Sequence, residues 1–181
     1  ERTIQSVISQ SYENIDFVII DGGSTDSTPI IINKYKKYLS YYISESDFGI
    51  YDAMNKGIRA SKGNGMIFLN AGDYFVGDVF NGASAPSLIP VRYKNFRGKN
   101  SVASLKNIYF GMPYCHQGII FKKNDIKYDD NYKISADYDF FLNHFKDLDY
   151  ELKISETGGY VFFDNQGISS KNTILRDKET I

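Results

Sequence analysis

The sequence predicts an α/β layered domain with a mostly parallel central sheet, and three observations predict it. Val18-Ile19-Ile20 and Met66-Ile67-Phe68-Leu69 are short apolar runs, the pattern of strands buried on both faces. Each run stops abruptly and an acidic residue follows, Asp21 in the first case and Asp73 in the second. Between and beyond them strand-like runs alternate with helix-like periodicity, which requires helices layered on a sheet. In open α/β sheets ligands bind beyond the carboxyl ends of the strands. Asp21 and Asp73 are therefore expected on one rim, where a nucleotide and its metal could lie.

The elements follow in order. Ile4, Val7, Ile8 and Ser11 recur at helical spacing, so residues 2–11 read as a helix and 15–20 as a strand. Thr28-Pro29 starts a second helix, because proline suits the first helical position and a short polar residue before it can cap. Residues 40–45 read as a strand and Asp47–Tyr51 as a turn. Residues 51–62 form an amphipathic helix with Met54, Ile58 and Ser61 inward and Lys56, Arg59 and Lys62 outward. Gly63 and Gly65 stop it before a strand at 66–69. Residues 81–113 lack periodicity and read as irregular cover over a binding site. A strand at 117–122, a helix at 136–148 and strands at 150–154 and 160–163 complete the chain.

The 181 residues make one domain, 1–181, long enough for a substantial core. A helix opens the pattern with no strand before it, so a first strand is expected to be missing. Phe75 reads as a helix entry set directly against Val76-Gly-Asp-Val, so internal segments near 75–90 are expected to be missing as well. The net charge of −1 gives no basic face for nucleic acid. A single cysteine, Cys115, excludes an internal disulfide and a Cys-rich zinc site. No apolar stretch is long enough to span a bilayer.

Four segments in fixed order carry a resemblance: FVIIDGGSTDST (17–28), DFGIYDAMNKGIRASKGNGMIFLNAGD (47–73), CHQGIIFKK (115–123) and SADYDFFL (135–142). They resemble the family-2 glycosyltransferases, inverting nucleotide-sugar enzymes of the GT-A fold, a Rossmann-like three-layer sandwich. The resemblance implies transfer of a sugar, with a UDP-sugar as the expected donor. The acceptor is expected to be a saccharide or a lipid-linked saccharide. It implies a metal, Mn2+ or Mg2+, and a cytoplasmic protein or one at the inner face of a membrane.

Residue by residue, the resemblance gives Asp21 and Gly22 to the nucleotide. Asp73 becomes the acid of a DxD-type metal motif in which Asn70 and Gly72 replace two further acids. Asp73 on its own would equally cap a turn. Asp52 and Asn55, three apart on a helix, are candidates for donor contact or for structural support. Met54 stands where the family usually has arginine. Asp137 is the expected general base at a helix start, where the dipole keeps it ionised. Asp139 is the alternative, and helix capping fits both. His116 and Gln117 are expected on the acceptor side, although a lone histidine is as readily structural. Asp26 reads as a helix cap, Lys56 as a solvated lysine, and His144 and Cys115 as packing. Three rivals differ in class. An actin–hexokinase ATPase would need a hairpin after Asp21, a nucleotidyltransferase a Gly-rich basic signature near its first strand. A non-catalytic relative would bind donor without turnover.

Overall fold

The computed structural model describes residues 1–93, 114–123, 126–145 (backbone alone at 144–145) and 152–164. The remainder of the irregular region, the start of the strand expected at 150–154 and the side chain of His144 lie outside the described residues. Helix α1 (Arg2–Ile8) precedes strand β1 (Val18–Asp21). Helix α2 (Thr28–Lys34), entered through Pro29, runs into a 3-10 turn at Lys36–Tyr38, then β2 (Tyr41–Ser44) and α3 (Ile50–Ala60). Four short strands follow: β3 (Gly65–Met66), β4 (Tyr74–Val76), β5 (Ser87–Leu88) and β6 (Val91–Tyr93). A 3-10 turn at His116–Gly118 leads to β7 (Ile119–Lys122), then α4 (Ala136–Phe145) and β8 (Tyr160–Phe163).

The strands are less parallel than expected. β1 and β2 pair in parallel, and so do β6 and β8. β3 and β5 flank β7 antiparallel, and β4 pairs antiparallel with β8. The expected strand at 66–69 is regular only at Gly65–Met66. Phe75 is no helix entry: it lies within β4, opposite Val161. The parallel β1–α2–β2 unit also removes the hairpin that the ATPase reading required.

Two apolar clusters hold the fold, and β7 separates them. Its side chains alternate, as a strand's must. Ile119 and Phe121 join α3 and α4 through Met54, Tyr128, Phe140 and Phe141. Ile120 joins Val7, Phe75, Val79, Ile89 and Val161 on the other face. Met54, at the family's arginine position, is buried in the first cluster, where an unpaired charge would be costly. One edge of β1 bonds to β2. The other faces a cleft of about 1220 Å3 whose walls include Ile19, Ile20, Met54, Phe68 and Leu69.

Candidate active site

The β1–β2 register builds the first part of the site. Asp21 stands opposite Ser44, so the two side chains share a face. The Asp21 carboxylate accepts the Ser44 hydroxyl at 2.5 Å, and the Ser24 hydroxyl and N–H at 2.5 and 3.1 Å. Burial works against its charge. The bonds from Ser24 and Ser44 outweigh that and hold its carboxyl below the usual range. Gly22 then passes so close to Asp47 that a β-carbon there would overlap its carboxylate, and Gly23 turns the chain at φ +83°. Asp47 in turn accepts the Gly49 N–H at 3.0 Å. Asp26 caps the next helix as expected, accepting the Thr28 N–H at 2.9 Å.

Helix α3 places its polar residues on two faces. Asp52 accepts the Phe48 N–H at 3.1 Å and pairs with Lys56 at 3.3 Å. The Phe48 N–H, with Lys56 beside it, holds the Asp52 carboxyl below its ordinary value. Lys56 also reaches Glu45 at 2.9 Å, so it is an ion-paired strut rather than the solvated lysine expected. Asn55 points elsewhere. It is buried, its Nδ2 donates to the Tyr128 carbonyl at 2.9 Å, and its Oδ1 accepts the Tyr128 N–H at 3.1 Å. Of its two expected roles the structure favours support, because both ends of its amide are used by backbone. Asp52 and Asn55 thus do not converge on one ligand.

A buried polar cluster surrounds the start of α4. The Tyr51 hydroxyl, one turn before Asn55, donates to the Ile134 carbonyl and lies 3.0 Å from Oδ1 of Asp137. The Tyr138 N–H donates to the same Oδ1 at 2.9 Å. Among the described residues none hydrogen-bonds Oδ2, so one oxygen is anchored and the other is not. Asp139 accepts Asn143 Nδ2 at 3.0 Å along its own helix. His116 is buried, stacked on Phe68 at 5.3 Å, with Nε2 2.6 Å from the Tyr128 hydroxyl. Burial pushes its imidazole below the ordinary value, and the charge of Asp137 opposes this. Gln117 is also buried, with Oε1 3.2 Å from the Cys115 Sγ. Both expected acceptor-side residues therefore sit in the wall behind the site rather than on its surface. Burial pushes the Cys115 thiol up to about 11, which suits packing and not nucleophilic attack.

Asp73 departs furthest from expectation. Expected on the ligand rim beyond a strand, the residue is only 3% exposed. Helix α1 and the turn after it hold its surroundings: Gly72 N–H donates to Thr3, Phe75 N–H to Ser6 and Val79 N–H to Gln10. Its Oδ1 accepts the Asp164 N–H at 2.8 Å. Burial, with the Asp164 charge adding, raises its carboxyl to about 6 even against that bond. Among the described residues no three His, Cys, Asp or Glu side chains gather as a metal cage. A magnesium-like ion needs only one or two carboxylates, with phosphate and water as the rest. Asp73 with Asp164 beside it fits that minimal set.

Sequence reasoning missed Ser44, Tyr51, Tyr128 and Asp164. Ser44 was findable from strand register and Tyr51 from its i,i+4 relation to Asn55. Tyr128 and Asp164 carried no local signal.

Comparison with known proteins decides the family. Residues 1–83 match the model described as glycosyl transferase family 2. That stretch of the chain belongs to glycosyl transferase family 2. A family relative, the PGL/p-HBAD biosynthesis glycosyltransferase of Mycobacterium bovis (strain BCG / Pasteur 1173P2), is 30% identical over 78% of this chain and 62% of its own. The Escherichia coli enzyme WfaP, a UDP-Glc:alpha-D-GlcNAc-diphosphoundecaprenol beta-1,3-glucosyltransferase, is 39% identical over 41% of this chain and 30% of its own. The chain thus spans a little under two thirds of the mycobacterial relative. In three dimensions it resembles the crystal structure of S. aureus TarS 1-349 in complex with UDP-GlcNAc. There the TM-score is 0.69 at 19% identity, over 91% of this chain and 54% of that one. That likeness shows the GT-A fold, here with mixed sheets.

Proposed function

We propose that this chain is the catalytic part of a transferase that moves a sugar from a nucleoside-diphosphate donor to a hydroxyl of a saccharide or lipid-linked saccharide, with inversion. The observation that carries this reading is Asp137, with one carboxylate oxygen doubly held and the other without a hydrogen bond among the described residues. UDP in the TarS complex and the diphosphoundecaprenol in the WfaP name favour a UDP-sugar and a lipid-diphosphate acceptor. Work at the cytoplasmic face of a membrane would follow from such an acceptor. No helix among the described residues is long and apolar enough to cross one.

In this reading Asp21, Gly22 and the Asp47 turn shape the nucleotide side. Asp21, fixed as an anion by Ser24 and Ser44, accepts hydrogen bonds from the nucleoside. Asp73 and Asp164 would hold a divalent cation, which when bound supplies Lewis-acid stabilisation of the departing diphosphate. Asp137 takes the proton of the acceptor hydroxyl as the oxygen attacks the anomeric carbon. The bond to phosphate breaks with its electron pair leaving on the nucleoside diphosphate. Attack from the opposite face inverts the centre.

The test uses the full-length enzyme with UDP-glucose and a polyprenyl-diphosphate-linked N-acetylglucosamine. Asp137→Asn should lower turnover by about 10²–10⁴-fold while UDP-sugar affinity stays near wild type. Asp139→Asn should remain active. Collapse in Asp139→Asn alone moves the base by two residues, and normal turnover in both variants removes the mechanism. Donor binding without turnover of any acceptor would favour a non-catalytic relative.

A further inference from the structure

We infer that the Tyr51 hydroxyl is a positioning group for the Asp137 carboxylate, through which α3 sets where the base stands. This inference rests on Asp137 being the base, as proposed above.

Helix α3 grips the segment that leads into α4 at several points. Asn55 holds both backbone groups of Tyr128, and Tyr51 takes the Ile134 carbonyl and faces Oδ1 of Asp137. The two side chains are one turn apart, so a single face of α3 makes every one of these contacts. The Tyr51 ring lies 5.5 Å from that of Tyr128. The ring alone would serve the apolar cluster in which Tyr51 sits. A phenylalanine would fill the same volume.

The hydroxyl has a separate consequence. It carries one proton, and two acceptors face it: the Ile134 carbonyl and the Asp137 carboxylate. An ionised Asp137 draws on that proton. Once Asp137 has taken the acceptor's proton it draws less, and the hydroxyl is left to Ile134. The hydroxyl therefore holds the carboxylate in place before reaction. It also fixes Oδ1, which leaves Oδ2 to receive the proton. Among the described residues the other titratable groups facing Asp137 are His116 and Tyr128, which feel its charge, with Asp139 on its own helix. Burial pushes the His116 imidazole below its ordinary value, so no cationic ring stands there to hold the carboxylate.

Two readouts test this in the chain itself. The first is the Asp137 carboxyl carbon-13 resonance, assigned by its disappearance in Asp137→Asn. Tyr51→Phe should move that resonance, since Oδ1 loses a hydrogen-bond partner. Incorporating 2,3-difluorotyrosine at 51 keeps the size, strengthens the donor and should move it the opposite way. The second is steady-state turnover of the full-length enzyme with the donor and acceptor named above. Tyr51→Phe should lower kcat by about tenfold to a hundredfold with donor KM unchanged. In an Asp137→Asn background it should cost nothing further. An unmoved resonance in both Tyr51 variants overturns the inference, as does an equal loss in the Asp137→Asn background. Normal turnover in Asp137→Asn would instead overturn the assignment of the base, whatever Tyr51 does.

Discussion

Asn55 separates two readings of α3, and its replacement can be worked from the structure. In Asn55→Ala the Tyr128 N–H and carbonyl both lose their partner. Tyr128 is 1% exposed, so water cannot substitute without opening the core. Each buried group left unsatisfied costs about 1–3 kcal/mol, giving roughly 2–5 kcal/mol together after the better helix propensity of alanine is subtracted. For a chain of this size each kcal/mol lowers Tm by about 2–4 °C, so a fall of roughly 5–15 °C is expected. The assay is thermal unfolding by circular dichroism, paired with calorimetric titration of UDP into the folded variant at low temperature. UDP affinity should stay within about threefold, since the lost contacts belong to backbone and not to a ligand. A Tm within about 2 °C of wild type, with UDP binding weakened tenfold, would refute this reasoning and return Asn55 to the nucleotide.

Two further outcomes follow from the geometry. Burial raises the Asp73 carboxyl to about 6, so the carboxylate form needed by a cation is lost as pH falls below that value; manganese-dependent UDP binding should weaken about tenfold per unit below pH 6, and Asp73→Asn should abolish the manganese dependence at pH 7. Binding in calorimetry that is flat from pH 7 to 5 would exclude Asp73 as the ligand. Gly22→Ala drives a methyl against the tip of the Asp47 carboxylate, which can swing aside, and should cost about 1 kcal/mol or less in urea unfolding; Asp47→Ala in the same chain should recover that loss, and a loss well above it that Asp47→Ala does not recover would disprove the close approach.

Much of the frame was legible because its causes are local. The run Val18–Ile20, Pro29 at a helix start and the α3 periodicity specify β1, α2 and α3 through burial, fixed φ and amphipathicity, and all three formed within a few residues of expectation. Asp26 as a cap and Cys115 as packing were readable for the same reason. The order of motifs also sufficed for the family. What the sequence could not determine was non-local. Met66–Leu69 has the apolarity of a strand, but only its first residue pairs, because β7 meets this segment at Gly65 and Met66 alone. Asp73 was expected on the ligand rim after an apolar run, yet the packing of α1 and β8 around it removed it from water and shifted its carboxyl. Asn55 and Asp52 looked like neighbours at three residues' separation. Asn55 was drawn inward by a partner distant in sequence, Tyr128, while Asp52 stayed with its local partners Lys56 and the Phe48 turn, which divided them between two surfaces. The chain thus determined which elements form, through periodicity and turn chemistry. Tertiary packing decided which acids face ligand and which are buried, because burial and partner geometry depend on contacts made across many residues of sequence.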